Sequence, residues 1–234
     1  MYLKSVSIHP DRFPTKDAYP FNLEIFHRTR QITLSSGVTF FIGENGSGKT
    51  TLLKALSRKC GIHIWENGTR PRSKPNPLEN KFHLGLTIEW AHKSVPGAYF
   101  GSQIFHHFTE VLDEWAASDP GILAYFGGRS LITQSHGQSI LAFFSSRFQR
   151  PGLYLMDEPE TALSPKSQMV LLNILKNALP GNRCQFIIAT HSPILMACPE
   201  ADILNFDDTI IRSICYKKTD HFRIYKDFLD RQGA

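Results

Sequence analysis

The sequence predicts an α/β fold with a mostly parallel central sheet flanked by helices, and three strand-to-loop junctions carry that prediction. The first is the apolar run Val38-Thr39-Phe40-Phe41-Ile42, which passes into Gly43-Glu44-Asn45-Gly46-Ser47-Gly48-Lys49-Thr50 and then into the helical pattern Thr51-Leu52-Leu53-Lys54-Ala55-Leu56. The loop fits the P-loop pattern G-x-x-x-x-G-K-[ST] at every fixed position. The second is Leu153-Tyr154-Leu155-Met156, a bulky run of the kind buried in parallel sheets, which ends in Asp157-Glu158-Pro159-Glu160. The third is Cys184-Gln185-Phe186-Ile187-Ile188-Ala189, ending in Thr190-His191-Ser192-Pro193. Open α/β sheets place ligands at the carboxyl ends of such strands.

Taken in order, Tyr2 to Ile8 alternates apolar and polar residues, as a half-buried strand does, and turns at His9-Pro10-Asp11. Phe21 to Phe26 and Ile32 to Leu34 read as two further strands, so three antiparallel-type strands precede the P-loop and form an N-terminal β subdomain. Gly61 ends the P-loop helix. Residues 65–77 are rich in proline and turn formers and read as an exposed loop, with Arg70, Arg72 and Lys74 available to nucleic-acid phosphate or simply solvated. Leu84 to Trp90 is another strand. A helix from about Gln103 to Asp119 puts Ile104, Phe105, Phe108, Val111, Leu112 and Trp115 on one core-facing stripe. His106 and His107 are adjacent on that helix, point in different directions and make a poor metal pair. A last helix, Pro165 to Leu179, separates the second and third junctions, so their strands should be neighbours.

The chemistry follows from these residue types. Backbone N–H groups of a glycine-rich turn at a helix N-terminus wrap a chain of phosphates, so Gly43 to Thr51 is the expected nucleotide-binding stretch. Lys49 supplies a point charge to the β- and γ-phosphates, and Thr50 with Asp157 would hold Mg²⁺. Glu158, one residue beyond the metal ligand, is placed to orient and deprotonate an attacking water. His191 would hydrogen-bond the γ-phosphate or that water. Arg12, Phe13 or Tyr19 would stack on adenine, or else are ordinary loop and core residues.

Composition bounds the rest. The 234 residues suffice for one sizeable α/β domain, 1–234, and the formal charge of +5 permits a nucleic-acid partner without requiring one. Cys60, Cys184, Cys198 and Cys215 are widely spaced in or beside apolar stretches, which reads as reduced, packed thiols in a cytoplasmic protein. No signal pattern or membrane-length apolar run stands in the sequence, so any membrane segment would come from another subunit.

In the order of its motifs the chain resembles the ABC-class ATPases over nearly its full length. The resemblance makes Gln134-Ser135-His136-Gly137-Gln138 the signature, a degenerate one in which His136 replaces a glycine and Gln134 a leucine. It makes Ala162-Leu163-Ser164-Pro165 the D-loop and Gln103 the glutamine loop, a catalytic and Mg²⁺-contacting residue, and it implies a small helical subdomain over about 98–150. Asp157-Glu158-Pro159-Glu160 and Thr190-His191-Ser192-Pro193 look like the RecF-, SMC- and OLD-type branch, whereas transporter subunits typically carry D-E-P-T-S-x-L-D and an aspartate after the histidine. With no heptad run, the chain is a bare head that most resembles the small solitary predicted ATPases of bacteria.

That resemblance implies Mg²⁺-dependent ATP hydrolysis by a homodimer that sandwiches two ATP molecules, each gripped by Ser135, His136, Gly137 and Gln138 of the opposite subunit. The task it implies is that of a switch or motor in DNA maintenance or defence. The alternatives are the energising subunit of a transporter, a P-loop kinase, and a nucleotide-gated regulator of a toxin or nuclease partner.

Overall fold

A computed structural model of the chain describes residues 1–64, 78–91, 96–126, 128, 130 and 136–233. Its centre is a six-stranded sheet built from β3 (Val38–Ile42), β5 (Gly97–Gly101), β6 (Gly152–Asp157), β7 (Cys184–Ala189), β8 (Asp202–Asn205) and β9 (Arg212–Ser213), in the order β5-β6-β7-β3-β8-β9. The first five are mutually parallel, and β9 closes one edge antiparallel to β8. β3 and β7 are buried at every residue, as the apolar runs require.

Period-two alternation divides the core between the two faces of this sheet. Phe41, Leu155 and Ile187 pack with Leu52, Leu53 and Leu56 of helix α2 (Lys49–Lys59). Phe40, Met156, Phe186 and Ile188 pack on the other face with Phe105 and Leu112 of α3 (Ser102–Ser118), Phe143 and Phe144 of α4 (His136–Arg147) and Leu171 and Leu175 of α5 (Pro165–Ala178). α5 starts at a proline after Ser164, whose hydroxyl accepts from Ser167 N. The aromatic stripe of α3 is core at Phe105, Phe108 and Leu112, but Trp115 is 42% exposed and so falls outside it.

A three-stranded antiparallel sheet, β2-β1-β4, packs over α2. It joins β1 (Leu3–Ile8), β2 (Gln31–Thr33) and β4 (Leu86–Trp90), with Val6 opposite Ile32 on one side and Ile88 on the other. Two expectations are corrected here. The stretch Phe21 to Phe26 is no strand: it leads into helix α1 (Glu24–Arg28), because the buried residues are Phe21, Ile25 and Phe26, spaced i, i+4 and i+5. Two strands, not three, therefore precede the P-loop, and the third member of this sheet, β4, comes from beyond it. Cys215 is also exposed rather than packed.

The chain closes with a short helix, α6 (Pro193–Met196), then β8 and β9, and α7 (Asp220–Gln232). Among the described residues no helix is long and apolar enough to cross a membrane.

Candidate nucleotide site

The three junctions meet at the carboxyl end of the parallel sheet, tied together through their backbones. Glu158 N donates to Ala189 O (2.9 Å) and Thr190 N to Phe41 O (3.1 Å), so the loops after β6, β7 and β3 are held in one register. The P-loop turns on glycines at positive φ. Gly48, the residue before α2, has φ 102°, and a Cβ there would lie 2.7 Å from the ring of Phe26. Lys49 is buried and donates from Nζ to Gly43 O (2.5 Å) and Glu44 O (2.9 Å). Ser47 Oγ has no hydrogen-bond partner among the described residues.

Asp157 ends β6 opposite α2. Its Oδ1 accepts from the Thr50 hydroxyl (2.9 Å) and its Oδ2 from the Tyr99 hydroxyl (3.2 Å). Glu158 follows at φ 47°, a left-handed conformation uncommon for a side chain of its size and characteristic of functional loops. It lines one pocket with the P-loop and Tyr19, whose hydroxyl is bonded to Thr51 Oγ1. Its Oε1 lies 3.9 Å from His191 Nε2. That nitrogen is buried and has no hydrogen-bond partner among the described residues.

The turn carrying His191 is clamped by residues around it. Glu160, itself buried, accepts the His191 backbone N–H at 2.6 Å. Ser192 Oγ donates to Gln168 Oε1 (2.6 Å) and accepts from Leu195 N (3.1 Å), while Gln168 Nε2 donates to Leu163 O (3.0 Å) in the predicted D-loop. The two residues that mark the RecF-like wording of the motifs, Glu160 and Ser192, thus both hold the histidine turn in place.

Burial dominates the electrostatics. It pushes the Lys49 ammonium down, against the pull of Asp207, Glu158, Asp157 and Glu44, and it pushes the Asp157 carboxyl up, against the Thr50 hydrogen bond. His191 is lowered by burial and then by Lys49, with Glu158 opposing; Glu160 is raised by burial, with the His191 amide opposing.

The residues fit Mg²⁺ in one particular mode. Among the described residues no group of three or more His, Cys, Asp or Glu could hold a metal. Thr50 and Asp157 instead offer two adjacent hard oxygens, one on a half-buried carboxylate, which suits an ion shared with substrate phosphates rather than caged by protein.

Of the other predicted residues, Phe13 belongs to an aromatic cluster with Phe21, His27 and Phe82, so it is core and not an adenine platform. Arg12 reaches Thr87 instead, and Tyr19 alone of the three stands at the pocket. Gly137 lies at the start of α4, where a Cβ would be 3.1 Å from Ala162 O, and Gln138 beside it is exposed. Gln134, Ser135, Arg70, Arg72 and Lys74 lie outside the described residues, as do the side chains of Gln103 and His136. Four residues at the site escaped the sequence reading as site residues: Tyr99, Glu160, Asp207 and His221. Asp207 Oδ1 accepts Glu44 N at 2.6 Å, and His221 Nε2 lies 3.3 Å from His191 Nδ1. Only Glu160 carried a signal, as the second acid of Asp157-Glu158-Pro159-Glu160.

Comparison with known proteins agrees with this geometry. Residues 128–197, which hold Asp157, Glu158 and His191, match the family model "AAA domain, putative AbiEii toxin, Type IV TA system". Residues 21–62, which hold the P-loop, match a second AAA domain model. The chain is 28% identical over 181 residues to the cytochrome c biogenesis ATP-binding export protein CcmA of Rickettsia felis, covering 73% of this chain and 85% of that protein. In structure it is similar to the SMC head domain from Thermotoga maritima, with a TM-score of 0.51 and 17% identity over 92% of this chain and 98% of that one. It is likewise similar to "an inward-facing conformation of a putative metal-chelate type ABC transporter", with a TM-score of 0.54 and 16% identity over 95% of this chain and 88% of that one. These matches are to ATP-binding domains of the AAA and ABC kind, and the chain has the fold of the ABC- and SMC-type P-loop heads. A third relative, the "Probable branched-chain amino acid transport ATP-binding protein LivF" of Archaeoglobus fulgidus, is 24% identical over 60% of this chain, and the match spans 64% of the LivF chain.

Proposed function

We propose that this chain hydrolyses ATP to ADP and phosphate at two composite sites, formed when two copies close around two ATP molecules. The observation that carries the reading is the convergence of Lys49, Thr50, Asp157, Glu158 and His191 from three separate loops on one end of the sheet. The P-loop amides and Lys49 bind and neutralise the β- and γ-phosphates. Lys49 gives up two backbone carbonyls to do so. Glu158 accepts a proton from the attacking water, and His191 orients the γ-phosphate or that water through Nε2. Thr50 and Asp157 would hold Mg²⁺, which would supply further charge neutralisation to the phosphates. Gly101 pairs with Asp157 across β5 and β6, and this register supports a place for Gln103, two residues on, beside the same carboxylate.

Ser135 and Gly137 of one copy complete the site of the other. The test is subunit mixing. Lys49→Ala and Ser135→Arg homodimers should each be inactive, whereas in a mixed dimer one site joins an intact P-loop to an intact signature. Equal mixing restores up to about a quarter of wild-type turnover if the sites are independent. Exchange of subunits without any recovery would exclude independent composite sites.

For the task, the reading favoured is a nucleotide switch or motor in DNA maintenance or defence, acting on nucleic acid or through a toxin or nuclease partner. It is supported by the toxin–antitoxin description of the matching family model and by the use of Glu160 and Ser192 to hold the histidine turn. A second reading, the energising subunit of a transporter, is favoured by the CcmA and LivF similarities. Purification from the native host in the presence of ATP separates them, since a membrane partner supports the second and contradicts the first.

A further inference from the structure

We infer that His221 is a positioning residue for His191, holding it in the tautomer whose Nε2 carries the proton toward the nucleotide site. The inference rests on the reading of the site as an ATP-hydrolysing one, but the tautomer can be observed without turnover.

The tautomer is set at His191 Nε2. This atom is buried, has no hydrogen-bond partner among the described residues, and lies 3.9 Å from a Glu158 carboxylate oxygen. A bare nitrogen there would set its lone pair against the carboxylate, whereas an N–H would point its positive end toward it. The carboxylate therefore favours Nε2–H. A neutral imidazole carries one proton, so Nδ1 must then accept. The group in reach of Nδ1 is His221 Nε2, at 3.3 Å with ring centroids 5.5 Å apart. His221 must therefore donate.

The same geometry favours the neutral form of both rings. Burial and Lys49 lower His191, while burial and His191 itself lower His221. The charged groups facing the pair come from three other elements: Glu44 and Lys49 of the P-loop, Glu158 after β6 and Asp207 after β8. With one mobile proton between two nitrogens, the state of His221 decides whether His191 presents a donor or an acceptor to phosphate.

The chain also anchors His221 against the histidine turn. Tyr216 donates from its hydroxyl to Pro193 O (2.9 Å), two residues beyond His191, and its ring packs on Phe222 at 4.9 Å. Thr219, buried, caps α7 by accepting Phe222 N at 3.2 Å. No described residue of α7 is itself buried, so its first turn is fixed by these contacts beside the site.

The experiment is a long-range ¹H–¹⁵N spectrum of the full chain labelled with ¹⁵N-histidine, with the His191 signals assigned by their loss in His191→Gln. The wild type should show His191 with Nε2 protonated and Nδ1 accepting. His221→Phe should scramble it into mixed tautomers, and His221→Gln, whose amide offers an N–H at similar reach, should restore it. If the Phe ring unseats the turn, His221→Ala gives the same reading. In turnover, His221→Phe should lower kcat on the order of ten-fold with KM for ATP within about two-fold, and His221→Gln should recover most of the loss. A wild-type His191 protonated on Nδ1, or a tautomer unchanged in a folded His221→Phe, overturns the inference. A tautomer that depends on His221 in a protein that hydrolyses no ATP upholds the positioning and sinks the hydrolysis reading instead.

Discussion

Replacing Glu160 by Ala should cost the protein both stability and turnover, and the structure sets the size of each loss. Glu160 is buried and its carboxylate takes the His191 backbone N–H at 2.6 Å. A hydrogen bond to a charged group contributes about 1.5–3 kcal/mol, and burial of the carboxylate, which raises its pKa, offsets part of that. A net loss of about 2 kcal/mol lowers Tm by roughly 4–8 °C in a chain of this size. The same change frees the turn that carries His191. A displacement near 1 Å at a reacting centre costs on the order of 100-fold, so kcat should fall by about 10–100-fold. KM for ATP should hold, because Lys49 and the P-loop amides are untouched. Calorimetry and steady-state phosphate release check the two arms, with Glu160→Gln as the control that keeps an acceptor oxygen and most of the activity. A Glu160→Ala protein with wild-type Tm and wild-type kcat would refute the claim that this carboxylate holds the histidine turn.

Two further outcomes follow from the electrostatics. Asp157→Asn removes a carboxylate whose pKa burial raises, so without nucleotide it should raise Tm by about 2–4 °C for each kcal/mol gained while abolishing Mg²⁺-dependent turnover; a fall in Tm contradicts this. His191 and His221 titrate below their ordinary 6.5 in the folded chain, so at pH values just below 6.5 the unfolded chain binds protons that the folded chain does not. Their contribution is full above about pH 6.5 and is lost as pH falls from there toward the folded values. Urea unfolding between about pH 7.5 and 5.5 should show that loss in the wild type and a shallower one in His221→Phe, and equal slopes would count against it.

The site's backbone was legible in the sequence because a P-loop and an acidic strand end are short, local patterns. The burial of β3 and β7 on both sides could be read from their unbroken apolar runs, and the adjacency of β6 and β7 from the single helix between them. The failures were of two kinds. Phe21-Asn22-Leu23-Glu24-Ile25 satisfies a period of two as well as a helical spacing, and only the burial of Phe26 settles it as α1. The pairing of β4 with β1, and the arrival of Asp207 and His221 at the P-loop and the histidine turn, join residues far apart in the chain. No local spacing records such contacts. Tyr99 has no signal in the sequence, because a hydroxyl that reaches Asp157 from an adjacent strand leaves no pattern of its own.

The central claim is that Glu158 drives ATP hydrolysis in a closed pair of subunits, and the Glu158→Gln protein tests it most directly. The amide keeps the shape of the side chain but cannot take a proton from water. With Mg²⁺ and γ-labelled ATP, the account predicts a stable dimer that retains one unhydrolysed ATP per chain and releases phosphate at least about 100-fold more slowly than the wild type. A Glu158→Gln protein that releases phosphate at the wild-type rate, or that stays monomeric at saturating ATP, would contradict it.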